Sequence, residues 1–303
     1  MKQEFFVKNA DLIKESEWID KINSFRIDHK DELKDAEPKI ALEVRRLVDD
    51  AIKQRIEGQD SIGICFSGGL DSSYIAAYCK KLKANFTCYT VGFQDGNFRN
   101  PEDILYAQRV AKHLKLNENE FKFKIFTFKE IEDVIKKTSK ILQQAKVNTV
   151  VNAGVGSVEV AAHSISKNEK IFFSGLGSEE IFAGYERHKL NPTNDECFEG
   201  LLKMYNRDLL RDTAIPKALN FSFTTPFLDE NLIHYALKIP IRYKINGSGA
   251  KMILRKAAEP YLGRYSLRPK KAAQYGSNTD KAIEKLAQIG RFKTKKDYLE
   301  SIK

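Results

Sequence analysis

Apolar side chains at Ile40, Val44, Leu47, Val48, Ala51, Ile52 and Ile56 recur every three or four residues. This period predicts an amphipathic helix that opens at Pro38 and closes at Gly58. The residues before it are polar and charged around one aromatic cluster, Phe5, Phe6 and Trp18, and are expected to pack as a short helical arm. From Ser61 the pattern changes. Ser61 to Phe66 is a short continuous apolar run of the kind that buried strands carry, Leu70 to Leu82 reads as a helix, and Phe86 to Val91 as a second buried strand. Pro101 to Leu116 predicts a helix with proline in its first turn, and Glu120 to Phe126 alternates weakly as a third strand. Phe128 to Gln144 and Val155 to Ser166 predict helices, and Lys170 to Phe173 a fourth strand. After Tyr185 the strand signals fade, while Cys197 to Leu210, Glu230 to Leu237, Ala250 to Tyr261 and Asp280 to Ile289 all suit helices. Strands alternating with helices imply an α/β fold, a doubly wound and mostly parallel sheet with helices on both faces and a helical C-terminal part. The division expected is an extension over residues 1–57 and a single domain over 58–303.

Composition narrows the class. The chain has 303 residues, 42% of them hydrophobic and 30% charged, which is enough apolar material for a core and too much for a disordered chain. No apolar run approaches the roughly 20 residues of a membrane span. The start, Met1-Lys2-Gln3-Glu4, lacks the basic-then-apolar pattern of a signal peptide, so a cytoplasmic protein with no membrane partner is expected. Cys65, Cys79, Cys88 and Cys197 are scattered singly, which argues against a zinc ribbon, an iron–sulfur site or a disulfide framework. The net charge of +10 is concentrated: from Pro240 to the end there are 16 Lys/Arg against 5 Asp/Glu. Such a segment lines an anion site, contacts nucleic acid, or forms a solvated surface. The solvated reading suits Arg291 to Lys296; the anion reading suits Lys251 to Lys271, a run that includes Lys256, Arg268, Lys270 and Lys271.

The chemistry concentrates where the first strand meets Ser67-Gly68-Gly69-Leu70-Asp71-Ser72-Ser73. A strand, a small-residue turn and a helix N-terminus together form an anion site, because unsatisfied N–H groups and the positive end of the helix dipole converge there. Two glycines let the backbone approach phosphate oxygens closely, and three serines add hydroxyl donors. Asp71 would repel phosphate unless a magnesium ion bridges the two. No Lys-Ser/Thr pair follows the glycines, so this is not a Walker loop. The segment resembles the PP-loop of the ATP pyrophosphatases, enzymes that split ATP between the α and β phosphates and adenylate a carboxylate or similar oxygen. That resemblance implies an adenine nucleotide alpha hydrolase-like fold.

A second loop, Ser174-Gly175-Leu176-Gly177-Ser178-Glu179-Glu180 through Gly184-Tyr185, again joins a strand end to a helix start. It resembles the S-G-x-G-S-D/E-E-x-x-x-G-Y signature of the synthetase domain of asparagine synthetases. Further matches arrive in that family's order: Asp208 and Arg211, Pro226-Phe227-Leu228-Asp229, Lys251-Met252-Ile253-Leu254-Arg255, and Arg268 to Ser277. The last is most similar to the form in asparagine-synthetase-domain-containing proteins. The resemblance covers about residues 58–280. It implies ATP and Mg2+ as cofactors, with Asp71 and Glu179 as magnesium ligands. It further implies pyrophosphate held by Ser67, Gly68, Gly69, Ser72 and Ser73, and adenosine held by Phe66, Val91, Ser174 and Gly175. Lys251 matches the catalytic lysine and Tyr185 the tyrosine that closes the second loop. From the sequence alone, Lys251 lies about one residue inside a helix beginning near Gly249-Ala250, where a cation calls for an anionic partner or full exposure.

Three departures from the family pattern stand out. Position 2 is Lys rather than the Cys nucleophile of glutamine-hydrolysing relatives, and the segment before the first strand is too short for their N-terminal domain. Leu176 stands where the family has Glu, and Ser222 and Thr224 stand where it has an acidic and a basic residue. The expected function is therefore an ATP-dependent amide-forming ligase that adenylates a small-molecule or macromolecular carboxylate. Its nitrogen comes from ammonia, an amine or a separate glutaminase subunit, and free aspartate is a poor acceptor. The alternatives are a tRNA- or RNA-modifying adenylase that uses the basic C-terminal segment, and a nucleotide-binding regulatory protein without turnover.

Overall fold

A computed structural model describes residues 2–9, 11–95, 100–167, 169–269 and 271–302. Lys270, in the basic run singled out above, lies outside them. The chain opens with a hairpin, β1 (Val7–Lys8) and β2 (Asp11–Leu12), then α1 (Glu15–Asn23) and the long α2 (Glu37–Ile56). The central part follows as β3 (Ile62–Cys65), α3 (Leu70–Lys81), β4 (Phe86–Phe93), α4 (Glu102–His113), β5 (Phe121–Phe126), α5 (Phe128–Gln144), α6 (Val150–Ser164) and β6 (Ile171–Phe173). Beyond it come the short α7 (Ser178–Ile181) and α8 (Glu186–Leu190), α9 (Asn194–Met204), a π-helical turn over Tyr205–Leu209, α10 (Leu210–Leu219) and β7 (Ser222–Thr224). The rest comprises α11 (Glu230–Leu237), α12 (Ile241–Lys244), the small hairpin β8 (Ile245–Asn246) and β9 (Gly249–Ala250), α13 (Met252–Leu262), α14 (Ala273–Gly276), α15 (Thr279–Ile289) and α16 (Lys295–Ser301).

The five-stranded sheet runs β5-β4-β3-β6-β7 and every pairing is parallel. The chain builds outward from β3 to β5, then returns beside β3 to build β6 and β7. The strand order therefore reverses between β3 and β6, and in open α/β sheets ligands bind at the carboxyl ends of strands at such a point. The alternation along each strand sorts its side chains onto two faces. Ile62, Ile64, Cys88, Ile171 and Phe173 pack with α2, α3 and α13, whereas Tyr89, Val91, Phe93 and Phe172 pack with α5, α6 and α15. Helices on both faces make the sheet doubly wound, as the sequence predicts. Gly63 shows how tightly β3 and β6 sit. It is the register partner of Phe172, and a Cβ there would fall 2.4 Å from the Phe172 ring.

The N-terminal residues share the first of these cores: Phe6, Trp18, Ile22 and Phe25 are buried with α2 and α9, and the Trp18 indole donates to Leu201 O at 3.1 Å. Where a short helical arm is expected, the hairpin precedes α1. Three other differences have local causes. Helix α6 begins five residues earlier than its apolar period suggests, because Thr149 caps it by accepting from Asn152 N, and Gly156 fits against Ile215 and Thr138. Strand β7 falls where strand signals fade, since three residues with an exposed Ser222 carry little pattern. Gly249 and Ala250 form a hairpin strand rather than a helix start, so α13 begins at Met252 and Lys251 precedes it.

Candidate active site

Strand β3 delivers the chain into the first loop, and the conformation there is forced. Gly68 has φ +69, and a Cβ on it would sit 2.6 Å from Ala107 N in α4, so both the dihedral and the close approach require glycine. The loop holds itself in shape: Gly69 N donates to Ser67 Oγ at 3.2 Å and Ser67 N to Ser72 Oγ at 3.3 Å. Ser67, Gly69, Asp71 and Ser72 line a cavity of about 370 Å³. Gly68 and Ser73 do not: Gly68 faces α4, and Ser73 is fully buried with its hydroxyl unbonded among the described residues. Phe66 and Val91 line the cavity while their side chains belong to the two cores.

The second loop leaves β6, the strand beside β3. Gly177 has φ +95 and lies against Leu228, whose Cδ2 a Cβ would meet at 2.5 Å. Ser174, Gly175, Leu176 and Glu179 all line the same cavity. The loops touch at Gly175, where an added Cβ would stand 2.9 Å from Asp71 Cβ. The two glycine-rich segments thus lie side by side at the strand ends.

Lys251 ties them together. Its ammonium donates to Asp71 Oδ2 at 2.7 Å and to Ser178 Oγ at 2.8 Å, and pairs with the Glu179 carboxylate. Rather than lying inside a helix, Lys251 occupies the residue ahead of α13 with φ 57. A left-handed non-glycine residue costs about 1–2 kcal/mol, and the ion pairs hold it there. Gly184 leaves the space: a Cβ on it would lie 2.4 Å from Lys251 Cε. Burial draws the Lys251 pKa below its usual value, opposed by the attraction of Asp71. Asp71 Oδ1 is buried and has no hydrogen-bond partner among the described residues. Two carboxylates converging on one cation, with one oxygen unbonded, is a donor set suited to a hard divalent ion shared with phosphate. Among the described residues no group of three or more His, Cys, Asp or Glu forms a metal cage.

Further charge lines the cavity from α6 and the α9–α10 junction. The π-helical turn rotates Arg207 and Asp208 inward, a local irregularity typical of functional sites. Arg207 pairs with Asp208 at 2.7 Å and with the buried Glu180. Arg211 contacts Asp212 at 2.5 Å, Glu159 at 3.3 Å and Asp208 at 3.6 Å. Burial raises the pKa values of Glu159 and Asp212, and that of Glu180 to about 7. Tyr185 also borders the cavity, with the Arg187 and Arg207 guanidinium groups 4.3 Å and 5.2 Å from its ring centroid. Burial, with Glu180 and Asp208 nearby, raises its phenol pKa well above 10, so it keeps its proton.

The sequence comparison places Leu176, Ser222 and Thr224 as the residues that strip charge from the pocket. Only Leu176 lines it. Ser222 and Thr224 share the opposite side of β7 from Phe223, which does reach the cavity, and Thr224 donates to Glu4 at 2.7 Å. Charge is therefore present after all, from Glu159, Arg207 and Asp212, which the pattern reading passed over. One signal was available for Glu159: it is the single charged residue in the run Val150–Ala162. The basic C-terminal segment is not an open array either. Arg268 pairs with Asp103 at 2.6 Å and donates to Ser67 O, Lys256 pairs with Glu37, and Lys271 with Glu102. Arg255 donates to three backbone carbonyls.

Fold and site together define a doubly wound α/β protein with a crevice lined by two glycine-rich loops at its switch point. The family model for asparagine synthase matches residues 43–221 and 194–291. The chain is 32% identical over 302 aligned residues to a Methanocaldococcus jannaschii protein assigned provisionally as glutamine-hydrolysing asparagine synthetase 1, covering 85% of this chain and 54% of that one. It is 30% identical to human glutamine-hydrolysing asparagine synthetase, covering 71% and 39% respectively, and 28% identical to Escherichia coli asparagine synthetase B, covering 73% and 42%. The chain belongs to the asparagine synthase family, and it spans about half or less of the length of these relatives. Among solved structures, the ammonia-dependent NAD synthetase of Campylobacter jejuni overlaps loosely, at 17% identity and a TM-score of 0.32, covering 61% of this chain and 92% of that one. Among the described residues no helix is long and apolar enough to cross a membrane.

Proposed function

We propose that this protein is an ATP-dependent, AMP-forming carbon–nitrogen ligase, which activates a carboxylate as its adenylate and transfers the acyl group to nitrogen. The observation that carries the reading is the placement of Lys251 between Asp71 of one loop and Ser178 and Glu179 of the other, at the wall of the cavity. Ser67, Gly69 and Ser72 would hold the pyrophosphate portion, with Gly68 shaping the turn. Phe66, Val91, Ser174 and Gly175 would frame the adenosine. Asp71 and Glu179 would hold Mg2+, which when bound neutralises phosphate charge. In the free protein the Lys251 ammonium is matched by these two carboxylates. With nucleotide present it turns to the α-phosphate and stabilises charge that develops there. Tyr185, protonated, serves as a hydrogen-bond donor at the end of the second loop. The acceptor contributes the carboxylate, and nitrogen arrives free, as an amine, or from a glutaminase.

The test is pyrophosphate release from ATP, screened over aspartate and other carboxylates with ammonium or an amine present. Acceptor-dependent release with matching AMP formation supports the ligase. Release of ADP and phosphate instead would overturn it.

A further inference from the structure

One wall of the cavity is supplied by α6 and has its own chemistry. Val151, Val155, Val158, Glu159 and Ala162 share one face of α6, and that face lines the cavity together with Phe223 and Cys65. Val151 is 51% exposed, and Val155 and Val158 are half-buried, so the protein's own core does not fill the space beside them. An apolar wall left open in a concave site is built to bury a ligand's hydrocarbon. Beside this wall Glu159, Asp208, Asp212 and Glu180 gather around two guanidinium groups, Arg207 and Arg211. Glu159 is 8% exposed and its Oε2 has no hydrogen-bond partner among the described residues. A buried carboxyl oxygen left unbonded is a place for a ligand's hydrogen-bond donor, and an ammonium group beside Glu159 and Asp212 supplies one. An acceptor carboxylate would be repelled here, and bare ammonium would leave the valine face empty.

We propose that the nitrogen nucleophile of this ligase is an aliphatic primary amine. Its alkyl chain lies along Val151, Val155, Val158 and Phe223, and its ammonium group lies on Glu159 and Asp212. The inference rests on the ligase reading above. The amine enters protonated and gives up one proton to the carboxylate pair. Its lone pair then forms the C–N bond at the acyl carbon of the adenylate. The adduct loses a second proton, the bond from the acyl carbon to the phosphate oxygen breaks, and AMP departs with that electron pair. Two protons are released for each amide formed, and no oxidant or reductant is needed.

The test is calorimetric titration of the full chain with n-butylamine hydrochloride, ammonium chloride and sodium butyrate, each with and without a non-hydrolysable ATP analogue and Mg2+. Butylammonium should bind saturably and at least tenfold more tightly than ammonium or butyrate. Glu159→Gln should weaken it at least tenfold, and Val155→Lys, which places an ammonium of the protein's own in the pocket, should do the same. Both variants should bind the ATP analogue as the wild type does. If Glu159→Gln does not fold, Val155→Lys decides alone. Absence of butylammonium binding, equal binding of ammonium, tighter binding of butyrate, or wild-type amine affinity in the folded variants would overturn the assignment. Failure of the wild type to bind the ATP analogue would instead strike the ligase reading, and the amine titrations would still be read on their own.

Discussion

Lys251 and Asp71 lie 180 positions apart in the chain, yet the ammonium of one sits 2.7 Å from the carboxylate of the other, inside a crevice bounded by both glycine-rich loops. Removing either partner leaves buried charge uncompensated, which typically costs about 3–5 kcal/mol. In Lys251→Ala, Asp71 and Glu179 face one another without the cation between them. Mg2+ should therefore raise the melting temperature of Lys251→Ala by more than it raises that of the wild type. Turnover should fall by about a hundredfold or more, corresponding to about 3 kcal/mol of transition-state stabilisation, with a smaller change in ATP affinity. Equal Mg2+ shifts in the two proteins would remove Asp71 and Glu179 from the metal assignment.

Asp71→Asn keeps the side-chain volume and removes the charge. Magnesium-dependent binding of a non-hydrolysable ATP analogue should weaken at least tenfold, while a circular-dichroism melt reports a folded protein. Undiminished binding would return Asp71 to the role of a helix-start residue.

Gly63→Ala tests the packing of the switch point. The new methyl would overlap three atoms of the fully buried Phe172 ring, at 2.4 to 2.8 Å. Overpacking of this kind costs about 1–3 kcal/mol. Denaturant unfolding should show that loss, and adding Phe172→Leu should recover part of it. Two losses that simply add would mean the ring is not the obstacle.

Asp103 provides a pH signature. It is buried beside Arg268, burial outweighs the attraction of the guanidinium, and its pKa rises to about 6. The folded state thus holds this proton more tightly than the unfolded chain. The contribution is present in full below the unfolded value near 4 and is lost as the pH rises through about 6. The stability difference between wild type and Asp103→Asn should shift against the wild type by about 2 kcal/mol between pH 4 and pH 7. Urea unfolding of both proteins at the two pH values measures it, and a flat difference would refute the shift.

Glu4 accepts from Arg55 at 2.8 and 3.0 Å, from Thr224 Oγ1 at 2.7 Å and from Thr225 N at 2.9 Å, all buried. Glu4→Ala leaves Arg55 with Asp229 and the Ala51 carbonyl and should destabilise the fold by about 3 kcal/mol. Limited proteolysis should then cut first within the residues ahead of α2. An unchanged digestion pattern would show that the aromatic cluster holds this segment unaided.

The sheet and both loops were legible because their signals are local. Ile62–Cys65 and Ile171–Phe173 are continuous apolar runs, each followed at once by residues that only a tight turn tolerates. Lys251 was legible as a residue but not as a conformation. Its left-handed backbone is unfavourable on its own and is held by Asp71, Ser178 and the gap at Gly184, none of them near it in sequence. Ser222 and Thr224 were misjudged for a related reason. In a three-residue strand, one step of register decides which side chains meet the ligand, and that register is fixed by β6 rather than by the strand's own pattern. Glu159 escaped because α6 reads as an ordinary buried helix until Asp212 and Arg211 are brought against it.

The bond between Glu4 and Thr224 spans 220 positions. A ribosome releasing this chain has already exposed Glu4 and Arg55 long before the hydroxyl and amide partners of Glu4, and the Asp229 partner of Arg55, exist. Until then, a carboxylate and a guanidinium destined for burial must wait in water, along with the open edge of β6 that β7 later covers. Completion of the fold is therefore gated by a late, long-range closure, the kind of contact that slows folding. Truncations ending before Ser222, and so lacking β7, should leave chains that hold their early helices yet gather into aggregates through the uncovered edge of β6.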